Sequence, residues 1–144
     1  MKIKPIVQDS LHTIHTSYEV DFILDNNITF INGDSGVGKS AVFSFLQELA
    51  TENKKIRCFN YLDKNKKYSS SIKLSKGKLF VIDNADILLN NEIRRFIALD
   101  YKNQYVIIGR NPEGLLLNYD EIYELGSETK DGRTRFFLKR CGMM

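Results

Sequence analysis

One octapeptide constrains this chain more than any other feature: Gly33-Asp34-Ser35-Gly36-Val37-Gly38-Lys39-Ser40 fits G-x-x-x-x-G-K-[ST] at every fixed position. The apolar run Ile28-Thr29-Phe30-Ile31, ending in Asn32, precedes it. From Ser40 to Thr51, Ala41, Val42, Phe45, Leu46, Leu49 and Ala50 fall on one helical stripe. Strand, glycine-rich turn and helix together give the octapeptide a physical meaning. Glycines let the backbone curl so that several N–H groups point at one anion with no Cβ in the way. The residues expected to cradle phosphates are Gly33, Asp34, Ser35, Gly36, Val37, Gly38, Lys39, Ser40 and Ala41. Lys39 sets a point charge against the outer phosphates and Ser40 offers a hydroxyl to Mg²⁺. The helix directs its positive end at the same anion.

Four more apolar runs follow: Ile56-Arg57-Cys58-Phe59, Leu79-Phe80-Val81-Ile82, Tyr105-Val106-Ile107-Ile108 and Ile122-Tyr123-Glu124-Leu125. The second and third of these are continuous rather than alternating, the pattern of strands buried on both faces of a parallel sheet. Ile93, Phe96 and Ile97 mark a shorter helix between them. Alternating strand and helix over 144 residues predicts one α/β domain spanning 1–144. Ile3 to Val7 and Ser17 to Leu24 read as a preliminary strand pair. Gly126 to Gly132 reads as a polar, Gly-punctuated stretch, and Arg135 to Leu138 as a closing hairpin strand.

A phosphate loop needs a carboxylate on a neighbouring strand to hold Mg²⁺. Asp83 closes the run Leu79 to Ile82 and is expected to place the metal with Ser40; the alternative is a turn or helix-capping aspartate. Val81-Ile82-Asp83-Asn84-Ala85-Asp86 resembles the Walker B segment of AAA+ ATPases. Val106-Ile107-Ile108-Gly109-Arg110-Asn111-Pro112 resembles their sensor strand. The resemblance spans Ile28 to Leu125 and implies a P-loop NTPase-like three-layer sandwich. Its sheet would be five-stranded and mainly parallel, in the order 5-1-4-3-2, with flanking antiparallel strands. It further implies ATP and Mg²⁺ as ligands, with GTP also compatible. Asn84 and Asn111 would then address the γ-phosphate, with Lys39 and Arg110 stabilising transferring charge. Read without the resemblance, Asn111-Pro112 is a turn initiator and Arg110 a loop residue.

Two departures temper that expectation. The family's catalytic glutamate aligns with Asn84, whose neutral amide orients water but is a poor proton acceptor. Asp86 is the nearest other carboxylate. Only 19 residues follow Leu125, too few for the family's helical lid. The leading expectation is an ATP-binding protein with weak or partner-dependent hydrolysis. The alternatives are a nucleotide-gated module that binds nucleic acid or protein and, ranked last, a small P-loop kinase whose lid would have only Arg94 and Arg95.

Charge supplies the module's candidate surface. Nine of the 21 basic residues lie between Lys54 and Lys78, opposed only by Asp63, so that segment carries +8 in a chain of net charge +3. Phe59, Tyr61 and Tyr68 interleave with those lysines, as in segments that grip single-stranded nucleic acid. An acidic protein partner and a plain solvated loop are the other readings. Arg94 and Arg95 read as the solvated face of their helix. His12 and His15 lack a carboxylate or cysteine cluster for metal binding. The widely spaced Cys58 and Cys141 suggest free thiols in a cytoplasmic protein. No apolar run approaches the ~20 residues of a membrane-spanning helix.

Overall fold

The computed structural model describes residues 4–33, 38–64 and 67–140. Among these residues eight strands form one sheet: β1 (Ser10–His15), β2 (Tyr18–Ile23), β3 (Ile28–Asn32), β4 (Ile56–Phe59), β5 (Leu79–Ile82), β6 (Gln104–Gly109), β7 (Ile122–Lys130) and β8 (Arg133–Arg140). Among the described residues four α-helices accompany them: α1 (Lys39–Glu52), α2 (Tyr68–Leu74), α3 (Ala85–Leu88) and α4 (Asn91–Leu99). The sheet runs β1-β2-β8-β7-β3-β6-β5-β4. Pairs β3–β6, β3–β7, β5–β6, β4–β5 and β2–β8 are parallel, while β1–β2 and β7–β8 are antiparallel hairpins.

This corrects the expected architecture. The sheet is mixed, eight-stranded and curled into a half-barrel with few helices, not a mainly parallel five-stranded P-loop sandwich. The cause lies in the two hairpins. β7 does not stop at Leu125 but continues to Lys130, turns through Asp131 and Gly132 at φ 54° and 76°, and returns as β8. Positive φ at both turn positions matches the twist of hairpin strands. β2 then joins β8 through Tyr18↔Thr134 to Val20↔Phe136. Leu11, Val20, Phe22 and Phe136 all point to the face that carries α1, so burying them wraps the added strands around that helix.

Two cores result. On one face Val42, Phe43 and Leu46 of α1 pack with Ile31, Val81, Val106 and the hairpin residues. Phe43 lies off the stripe read from the sequence yet is buried. On the other face α2, α3 and α4 cover Phe30, Phe80, Tyr105 and Ile107. Because both faces are covered, β5 and β6 are buried along their whole length.

Of the strand expected from Ile3 to Val7, Ile3 lies outside the described residues and residues 4–7 form no strand. The backbone N–H groups of Val7 and Gln8 each donate to the Gln104 side-chain oxygen at 2.9 Å, and Gln104 Nε2 donates back to Gln8 O at 2.8 Å. Asn27 Nδ2 donates to Asn103 O at 2.8 Å beside them. These buried amides tie the leading segment to the N-terminal edge of the parallel strands, and its strand partner positions are taken by Ser10–His15 instead.

Candidate functional site

The site forms where β3, β5 and β6 end. Gly33 follows β3, and Gly38 caps α1 at φ 97°, with Val42 N–H donating to Gly38 O at 2.8 Å. Asp34, Ser35, Gly36 and Val37 lie outside the described residues. Glycine is required at 38 for two reasons. The backbone is left-handed there, and a Cβ would stand 2.5 Å from a ring carbon of Phe136. The hairpin strand β8 therefore packs directly against the start of α1.

Gly33, Lys39, Ser40, Asp83 and Asn84 line one cleft of about 230 Å³ together with Asp86, Gly109 and Arg110. Asp83 N–H donates to Phe59 O at 2.9 Å, which fixes the residue to the end of β4. Its carboxylate accepts Asn84 N–H at 2.8 Å. Burial pushes the Asp83 carboxyl above the usual carboxylate range; the Asn84 N–H and the charge of Lys39 pull it partly back. Asn84 sits at φ 54° and ψ 43°, a left-handed cap that opens α3. A half-buried carboxylate, a lysine, a serine hydroxyl and a helix N-terminus thus face one small space. Such a set can hold a polyanion and a hard divalent cation together.

The chain was compared with models of known families, with curated proteins and with solved structures. It matches none of them. The chemistry must therefore be read from this cleft itself.

Asp86 does not act within it as a free base. Its Oδ2 accepts Arg110 N–H at 2.7 Å, and its Oδ1 accepts Asn111 N–H at 3.0 Å and faces Arg94 Nη2 at 3.5 Å. Arg94 is not on the solvated face of α4. It is buried, and its guanidinium donates to Leu89 O at 3.2 Å, Asn111 O at 2.6 Å and Glu113 O at 2.8 Å. Asp86 and Arg94 together hold the loop after β6 against the cleft. Sequence reasoning missed this pair. Arg94 stands one residue after Ile93 and three before Ile97, at the buried edge of the helical stripe, and that position was the available signal.

Of the remaining expected residues, Arg110 lines the cleft and Asn111 does not. The Asn111 side-chain oxygen accepts Glu113 N–H at 2.9 Å, closing the turn that Asn111-Pro112 suggests. Ala41 is half-buried in the first turn of α1. A larger groove of about 520 Å³ beside α4, lined by Phe96, Leu99 and Tyr101, contains none of the expected site residues.

The basic segment is built differently from a stacking strand. Phe59 and Tyr68 are buried in the second core, and the Tyr68 hydroxyl donates to Leu88 O. Tyr61 is the exposed aromatic there. Lys73 pairs with Glu92 at 2.8 Å, and Lys78 Nζ donates to Lys54 O at 3.0 Å. Lys64 and Lys67 are exposed, while Lys66 lies outside the described residues. Besides the Asp83–Phe59 bond, a second hydrogen bond joins this segment to the cleft: Tyr61 N–H donates to Asn84 Oδ1 at 3.4 Å. His12 and His15 lie on β1, beside Glu19 and Glu48 at 2.7 and 2.9 Å. Among the described residues no group of three or more His, Cys, Asp and Glu is placed to hold a metal, and no helix is long and apolar enough to cross a membrane. Burial pushes the Cys58 thiol up to about 12, which keeps it protonated and unreactive. Cys141 lies outside the described residues.

Proposed function

We propose that this protein binds a nucleoside triphosphate with Mg²⁺ and turns it over slowly, with ATP the leading candidate and GTP compatible. The reading takes the octapeptide as a phosphate loop of the P-loop NTPase kind, held here in a curled mixed sheet. One observation carries it: Lys39, Ser40 and Asp83 line a single cleft at the positive end of α1. Lys39 and the loop amides would hold phosphates, and Ser40 and Asp83 would hold the cation. When bound, Mg²⁺ supplies charge neutralisation on the phosphate oxygens.

Slow turnover follows from the groups nearest Asp83. Asn84 offers a carboxamide where a base is needed, and both oxygens of Asp86 already accept backbone N–H bonds. A cytoplasmic setting with reduced thiols fits such a role. A kinase reading loses support because Arg94 is committed to the loop after β6 and cannot swing over a substrate.

Titration calorimetry with ATP, with and without Mg²⁺, tests the proposal. Wild-type protein is expected to bind with Mg²⁺-enhanced affinity, and Lys39→Ala to lose binding while keeping its fold. Wild-type protein that binds no nucleoside triphosphate would end the reading.

The Tyr61–Asn84 hydrogen bond favours one second reading, a nucleotide-gated module. In it, occupancy of the cleft shifts Asn84 and with it the segment bearing Lys64 and Lys67, which would grip nucleic acid or an acidic protein. Salt-sensitive, ATP-dependent binding of single-stranded DNA that is lost in Lys64→Glu/Lys67→Glu is the expected signature. Binding that ignores nucleotide would remove it.

A further inference from the structure

The curl of the sheet brings an exposed aromatic ring close to the phosphate-binding end of α1. Gly38 backs onto the Phe136 ring, as its missing Cβ shows. Phe136 in turn lies nearly parallel to Tyr18, with an interplanar angle of 11° and ring centroids 6.2 Å apart. One ring therefore separates the last glycine of the loop from Tyr18. On its other contact Tyr18 meets Phe45 of α1 at 5.5 Å, and His15 stacks on Phe45 at 4.7 Å. Thr134 N–H donates to Ser17 O at 2.7 Å, which pins the β1–β2 turn to β8. Phe136 is 4% exposed, whereas Tyr18 keeps 43% of its surface open.

We infer that Tyr18, held by Phe45 and Phe136, is the stacking platform for the base of a nucleoside triphosphate whose phosphates lie against Lys39 and Ser40. The inference rests on the proposed triphosphate site and assigns its nucleoside end. The chemistry suits the geometry. A flat, partly exposed ring fixed by two aromatic neighbours loses little freedom when a second flat ring settles on it. Every base presents a π face, so such a platform adds affinity for the nucleoside without choosing among bases. It also gives the added strands β1, β2 and β8 a role beyond covering α1.

The test compares ATP, GTP and inorganic tripolyphosphate, each with Mg²⁺, by titration calorimetry on the full chain. Tyr18→Ala is expected to weaken ATP and GTP by about 5- to 150-fold, the range of one base–aromatic stack. Tripolyphosphate, which has no base, is expected to bind it as it binds wild type. Tyr18→Phe keeps the ring and is expected to hold ATP within about twofold of wild type, which controls for damage to the Phe45–Phe136 packing. If Tyr18→Ala weakens tripolyphosphate as much as ATP, or weakens neither, the subsite is refuted while the triphosphate site stands. If wild type binds none of the three, both fail.

Discussion

Replacing Arg94 with Ala removes one guanidinium that serves four acceptors. Three are main-chain carbonyls, Leu89 O at 3.2 Å, Asn111 O at 2.6 Å and Glu113 O at 2.8 Å, and the fourth is Asp86 Oδ1 at 3.5 Å. The Arg94 side chain is only 6% exposed, so these carbonyls do not regain water easily when it is gone. The Asp86 contact adds little, since it is long and Asp86 is 36% exposed to screening solvent. The cost is therefore carried by the carbonyl bonds, and breaking a buried charged cluster of this kind costs about 3–5 kcal/mol. Against a typical total of about 5–15 kcal/mol, that is a large share. Urea unfolding monitored by circular dichroism should show the midpoint fall by about 1–3 M, with the slope unchanged. Arg94→Lys should recover little, because one ammonium cannot span three carbonyls set in a fork. A loss below about 1 kcal/mol for Arg94→Ala would mean that the guanidinium is solvated, and the assigned clamp on residues 110–113 would be wrong.

Three further outcomes follow from the site. Gly38→Ala forces a Cβ toward Phe136 at φ 97° and should cost about 1–3 kcal/mol in the same urea assay; a neutral result would contradict the packing of β8 on α1. Because burial raises the Asp83 carboxyl, the folded state holds its proton more tightly than the unfolded one, so this group's contribution to stability is lost as pH rises from the ordinary aspartate range through the raised folded value. Asp83→Asn should therefore raise metal-free stability at neutral pH but not at pH 3, measured by thermal melts; an equal gain at both pH values would exclude the desolvated carboxylate as the cause. Asn84→Glu should speed ATP hydrolysis at least tenfold in a phosphate-release assay if the missing base limits turnover; an unchanged rate would assign the limit elsewhere.

The legible parts of the fold are those that local pattern encodes. The continuous runs ending at Ile82 and Ile108 become strands buried on both faces, and the Val42–Leu46 repeat becomes the buried side of α1. The curl was not legible, because it depends on pairing across nearly the whole chain. Tyr18 pairs with Thr134 across the β2–β8 seam, and nothing near either residue announces the partner. β1 was misplaced for a related reason. Of Ser10–His15 only Leu11 is buried, so the strand is defined by its register with β2 and not by its own alternation.

The site divides along the same line. Residues whose placement follows from chain geometry, Gly33, Lys39, Ser40 and Asp83, were legible because a strand end and a helix start bring them together at the edge of the parallel strands. Residues that act by supporting others were not. Asp86 and Arg94 look like surface charges in the sequence, and only the fold shows that one holds two backbone N–H groups and the other two carbonyls of the same loop. Phe59 and Tyr68 erred in the opposite direction. Their spacing among lysines resembled a stacking surface, yet each side chain points into the second core, where apolar burial outweighs the charge around it. Tyr18, another exposed aromatic besides Tyr61, lies far from the basic segment in sequence. The strand pairing that was hardest to read from the chain is thus what sets Tyr18 behind Phe136 at the start of α1, where the proposed base platform would lie.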